Sequence, residues 1–177
     1  MRPGIRLFHR SLALWLALPL CVTLTTGLTY RVGRTFFGMG KPTGNFILDI
    51  HTGAWMGEWL SVLYVLSTGL GLLAMAASGL KLLLSTRTKN RPRLFHRILG
   101  AVLLLPLAAS ALTGISYHLG VRLFKISESS QKLLMTVHEG GWMGPALKPF
   151  YVLSLGLGLL LLVASGLRFR LSRSKER

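Results

Sequence analysis

Arg6-Leu7-Phe8-His9-Arg10 returns as Arg93-Leu94-Phe95-His96-Arg97, and His51-Thr52-Gly53-Ala54-Trp55-Met56-Gly57 returns as His138-Glu139-Gly140-Gly141-Trp142-Met143-Gly144. Both matches fall at an offset of 87 residues, with no gap between them. Working outward, Pro19 falls on Pro106, Thr26-Gly27 on Thr113-Gly114, Tyr30 on Tyr117, and Ser78-Gly79-Leu80 on Ser165-Gly166-Leu167. Residues 6–84 and 93–171 share 35 identities in 79 positions, too many for two leucine-rich segments paired by chance. The reading is a tandem duplication of one two-helix unit. Residues 1–84 form the first repeat, 85–92 a hydrophilic linker, 93–171 the second repeat and 172–177 a basic tail. The duplication delivers two pairs of equivalent imidazoles.

Apolar residues make up 51% of the chain and the mean hydropathy is +0.52, while the charged residues collect at a few places. Four apolar stretches, 11–30, 60–80, 98–117 and 150–167, each approach the roughly 20 residues that a helix needs to cross a bilayer. The expected fold class is an all-α membrane protein with four transmembrane helices and no separate soluble domain. The N-terminal Arg2, Arg6 and Arg10 before an apolar run resemble a secretory signal. The gap-free match of this segment to 93–117 argues for a retained helix. Leu18-Pro19-Leu20-Cys21 lacks the small residue of a lipoprotein site, and Cys21, the single cysteine, permits neither an internal disulfide nor a thiolate-held cluster.

The net charge of +16 does not point to nucleic acid, because of where the charges stand. Arg2, Arg6 and Arg10, the connector 81–97 and the tail 168–177 carry 14 of the 21 basic residues. A four-span chain places all three segments on one side. The other two connectors carry four of the five acids, Asp49, Glu58, Glu128 and Glu139. The positive-inside rule then puts both termini in the cytoplasm, with anionic lipid as the neighbour of the basic face. Because each unit crosses twice, the two copies share one orientation and their pseudo-two-fold axis runs along the membrane normal. His9 faces His96 on the inner side, and His51 faces His138 on the outer side.

Small residues such as Gly69 and Gly71, with Gly156 and Gly158, read as helix contacts. Gly53, Gly57, Gly140, Gly141 and Gly144 crowd around a histidine and read either as clearance for a bulky planar cofactor or as a turn before a helix. Ionisable residues near a span are candidates for function. A lone histidine there is an interfacial residue bonded to water or a headgroup; two duplicated pairs suggest more. With no thiolate and no carboxylate inside the spans, zinc hydrolysis lacks its ligands and its acid/base partner. Two imidazoles facing each other across an axis suit the axial positions of haem iron. Arg10 and Arg97 follow the inner histidines, either as partners of haem propionates or as positive-inside anchors. Trp55, Trp59 and Trp142 read as interface belt residues or as stacking partners of a porphyrin. His118, matched by Arg31, reads as interfacial or as part of an outer substrate surface.

A helix opening with His-Arg and containing Thr-Gly, followed by His-x-Gly upstream of a helix ending in Ser-Gly-Leu, resembles the PepSY-associated transmembrane helix family. The residues are His9-Arg10, Thr26-Gly27, His51-Thr52-Gly53 and Ser78-Gly79-Leu80, and the same again from His96. Larger members include reductases of the bacterial inner membrane that bind b-type haem and reduce ferric siderophores. The resemblance implies haem ligation by His9, His51, His96 and His138, with two haems b, an electron donor in the cytoplasm or membrane, and an external ferric complex or redox partner as acceptor. The short outer connectors have no room for the periplasmic PepSY domains. Two other functions compete: a non-enzymatic membrane subunit, and a transporter of metal ions or solutes. On a straight helix ending at Leu80, His51 lies roughly 15 Å beyond the hydrocarbon core unless its segment bends inward. Taken at opposite faces of the bilayer, His9 and His51 stand about a membrane thickness, near 30 Å, apart.

The division of basic residues generates a topology test. Reporter fusions after Arg34 and after Ser130 are expected to read outside, and fusions after Lys89 and at Arg177 inside. An inverted or odd-numbered result removes the pairing of His9 with His96.

Overall fold

The computed structural model describes residues 3–85 and 91–174. Most of the linker, with Arg2 and the last three residues of the basic tail, lies outside the described residues. Among the described residues the chain is helical, with no strand. Four long helices are α1 (Pro3–Phe36), α3 (Glu58–Ser85), α4 (Arg91–Leu119) and α6 (Lys148–Ser174), and two short ones are α2 (Lys41–Thr52) and α5 (Glu128–His138). All four long helices are long and apolar enough to cross a membrane. At 34 residues α1 is about 51 Å long, well beyond a hydrocarbon core of about 30 Å. A single π-type turn, Gly120–Phe124, extends α4.

The long helices form a ring in which α1 packs on α3 and α6, and α4 packs on α3 and α6. That leaves α1 and α4 across one diagonal and α3 and α6 across the other. Glycines seat the contacts, because a helix without a side chain at one point lets a neighbour's side chain reach its backbone. Leu16 of α1 sits over Gly71 of α3, and its counterpart Leu103 of α4 sits over Gly158 of α6. Leu28 of α1 sits over Gly156 of α6, and its counterpart Ile115 of α4 over Gly69 of α3. Leu103, Leu107 and Leu159 form the buried centre, with Leu24, Leu72 and Leu155 around them. Outward-facing apolar side chains remain uncovered: Trp15 is 83% and Leu105 77% exposed.

Each of the connectors 31–59 and 118–147 carries a short helix lying back along the helix before it. α2 packs on α1 and α5 on α4. Pro42 occupies the first turn of α2, where its missing N–H costs nothing. The Ser127 side chain caps α5 by accepting from the Ser130 N–H. Gly53 (φ 71°) and Gly140 (φ 68°) end the reversals in left-handed geometry, and Gly57 and Gly144 also have positive φ. Four of the five glycines near the outer histidines therefore serve a turn before the next helix. Gly141 has no such backbone angle; the Cβ it lacks would fall against Thr136.

Gly140→Ala is expected to lower the thermal midpoint in detergent, by about 1–3 kcal/mol of backbone strain plus the clash of a new Cβ with the Tyr151 ring. Gly53→Ala carries the same strain. Gly4→Ala, where nothing lies within 4 Å, is expected to leave the midpoint unchanged.

Candidate functional site

His9 and His96 stand on the diagonal helices α1 and α4, and both line one cavity of about 360 Å³ between them. Its walls are mostly apolar, including Leu16, Leu72, Leu107 and Leu162, and its other polar lining is Arg6, Arg10, Arg93 and Arg97. No carboxylate lines it. Arg97 also donates to the carbonyl of Leu83 near the end of α3 (3.0 Å), a contact expected of an anchor, and guanidinium has further donors to offer.

The two rings are held alike. His9 Nδ1 lies 2.8 Å from Ser78 Oγ, and His96 Nδ1 lies 2.7 Å from Ser165 Oγ. Each serine hydroxyl donates to a carbonyl one turn back, Met75 or Leu162, at 3.1 Å. The hydroxyl hydrogen is therefore committed and the imidazole Nδ1–H is the donor to Oγ. That tautomer makes Nε2 the lone-pair nitrogen, as a metal ligand requires. The neighbouring glycines make the room: a Cβ on Gly79 or Gly166 would stand 3.5 or 3.6 Å from Cε1 of the ring.

At the other level the same chemistry is built from different atoms. His51, in the last turn of α2, donates Nδ1–H to the carbonyl of Thr23 on α1 at 2.7 Å. His138, in the last turn of α5, donates Nδ1–H to the carbonyl of Ser110 on α4 at 2.9 Å. Carbonyls only accept, so Nε2 again carries the lone pair. Gly27 and Gly114 face these rings: a Cβ there would fall 3.1 and 3.0 Å from Cε1, too close for comfort. His51 and His138 lie within electrostatic reach of each other.

The return of α2 corrects the expected depth. His51 binds at the level of Thr23, 14 residues from His9 along α1, so the two levels are about 21 Å apart, not 30 Å. The missed feature was the folded-back connector, and its signals were Pro42 near one end and Gly53 at the other. Nothing in the sequence marks the Thr23 and Ser110 acceptors, because they are backbone atoms.

His118 is buried at 6% exposure, which corrects its reading as an interfacial or surface residue. Its Nε2 lies 3.0 Å from Ser61 Oγ, and Ser61, fully buried, donates to the carbonyl of Thr52 at 2.8 Å. The counterparts of His118, Ser61 and Thr52 at the 87-residue offset are Arg31, Lys148 and Glu139, and these three also meet. Arg31 donates to Glu139 at 2.6 Å, and Lys148 pairs with the same carboxylate oxygen. Burial works to raise the Glu139 pKa; the Lys148 and Arg31 charges outweigh it and hold the carboxyl below its ordinary value. Both trios join one repeat to the other. Trp55, Trp59 and Trp142 are exposed, with Trp142 edge-on to Tyr151 at 6.1 Å.

Among the described residues no three His, Cys, Asp or Glu side chains gather for a bare metal ion. The donors come instead as two imidazoles per level, each with Nε2 not engaged by the Nδ1 hydrogen bond, a set that would fit a group bringing its remaining donors with it. Comparison with protein-family models, curated proteins and solved structures finds no match.

The hydrogen bonds generate a direct test. Nitrogen NMR of the ligand-free protein with labelled histidine is expected to show all four ligand-candidate rings as the Nδ1–H tautomer. Ser78→Ala is expected to release the tautomer of His9, whereas Thr23→Ala, which keeps its carbonyl, leaves that of His51 in place.

Proposed function

We propose that this chain is a multi-pass membrane protein, formed by tandem duplication of a two-helix unit, that binds two b-type haems and moves electrons across the bacterial inner membrane. Both termini are cytoplasmic, His9 and His96 hold the inner haem, and His51 and His138 hold the outer one. The acceptor is an external ferric complex or a redox partner, as the resemblance to the PepSY-associated transmembrane helix family suggests. One observation carries the reading: four imidazoles at two levels, each with Nδ1–H committed to an oxygen on a neighbouring helix and a glycine against Cε1.

Bound haem would supply a one-electron ferric/ferrous couple. The residues do the rest. Carbonyl and serine acceptors fix ring rotation and raise the basicity of Nε2. Arg10 and Arg97, with Arg6 and Arg93, offset the propionate charge at the inner cavity. Leu103, Leu107 and Leu159 make the bundle centre apolar, and two of them, Leu107 and Leu159, wall the inner cavity. A vertical offset of about 21 Å also argues for pairing within each level, because one iron cannot reach both His9 and His51.

The protein is expected to purify with a low-spin, bis-imidazole b-type spectrum. His51→Ala or His138→Ala is expected to remove one spectral component, His9→Ala or His96→Ala the other, and His118→Ala neither. A colourless protein made with ample haem would overturn the reading in favour of a non-enzymatic membrane subunit. Loss of one shared component in both His9→Ala and His51→Ala would refute the pairing.

A further inference from the structure

The outer level is closed by two clasps at equivalent positions, and only one of them is charged. Both do the same mechanical work. His118 of the second repeat reaches Ser61 and Thr52 of the first, and Arg31 of the first reaches Glu139 and Lys148 of the second. Thr52 and Glu139 directly follow His51 and His138, so each clasp grips the end of a ligand-bearing helix. The uncharged version shows that the grip needs no ions. Placing three ionic groups at a partly buried site carries a desolvation cost that the twin avoids. The charges therefore serve something other than the grip.

Arg31 supplies the second observation. Its NH2 group is spent on Glu139, but its Nε–H is buried and has no hydrogen-bond partner among the described residues. A buried guanidinium N–H without an acceptor is costly and asks for one. Arg31 stands one helical turn beyond Gly27, the residue against which the His51 ring rests. The trio carries two positive groups and one negative, a net positive site beside the two outer imidazoles.

We infer that Arg31, held by Glu139 and supported by Lys148, anchors the anionic edge of the group bound between His51 and His138, donating its Nε–H to one carboxylate oxygen. This assignment rests on the haem reading above, where that edge is the propionate pair, and it gives the outer haem a guanidinium partner as Arg10 and Arg97 do for the inner one. Arg31 is a positioning residue whose charge also favours the reduced-minus-oxidised balance of its site: a nearby cation stabilises the extra electron.

The test is a spectroscopic redox titration of the intact, haem-loaded protein in detergent, resolving the inner and outer components. Arg31→Gln is expected to shift the outer midpoint potential to more negative values and leave the inner one in place, and Arg31→Lys to recover part of the shift. Glu139→Gln, which removes a negative charge and leaves Arg31, is expected to shift the outer component the opposite way. His118→Gln is expected to move neither. Opposite signs for Arg31 and Glu139 are not produced by loosened packing, and if Arg31→Gln fails to fold, Glu139→Gln carries the test alone. Unmoved outer potentials, or equal shifts of both components, overturn the assignment while leaving the haem reading intact. Wild-type protein without haem overturns the haem reading itself and this assignment with it.

Discussion

An imidazole that donates Nδ1–H to a fixed oxygen has lost both its rotation and its choice of tautomer, and the candidate sites of this bundle depend on that loss. The acceptors are Ser78 and Ser165 at one level and the backbone of Thr23 and Ser110 at the other. Each bond runs between two helices of one repeat, so it also sets how those helices lie. The glycines follow from it: a ring held this close to a helix meets a backbone, and any Cβ at Gly27 or Gly114 would have to push it away.

The helices that carry these rings have little else to bind them. Between apolar helices in lipid no hydrophobic force acts, and close contact must come from dispersion and from hydrogen bonds. The four leucine or isoleucine contacts on Gly69, Gly71, Gly156 and Gly158 provide the first. The imidazole bonds, the two outer clasps and the Tyr64 hydroxyl of α3, which meets Thr23 and the Pro19 carbonyl of α1, provide the second. The buried centre holds Leu103, Leu107 and Leu159.

The long helices were legible because a run of some twenty apolar residues has few alternatives, and the histidine levels were legible because each histidine motif stands twice in the sequence, 87 residues apart. The short helices were not, since α2 and α5 are only 12 and 11 residues long and their pattern is masked by neighbouring polar residues. Missing them pushed His51 out of the bundle into the headgroup layer, because a straight chain was drawn where the chain turns back to the level of Thr23. His118 was misplaced for a related reason. Its counterpart is an arginine, and only the fold shows that arginine and histidine close the same clasp by different chemistry.

Duplication by itself builds two equal halves, and two equal halves give a central ligand no preferred side. The departures from identity are therefore as informative as the matches. At the inner level the histidines, the arginines, Ser78 with Ser165 and Gly79 with Gly166 are the same in both copies, so the polar surroundings of His9 and His96 are balanced. At the outer level His118, Ser61 and Thr52 oppose Arg31, Lys148 and Glu139, and the balance is broken where the chain meets whatever lies beyond it. A charge difference between the halves at one level and none at the other makes the two levels electrostatically distinct, although at both levels two imidazoles donate Nδ1–H to a fixed oxygen. Under the electron-transfer function proposed above, that distinction would give the two levels different affinities for an electron.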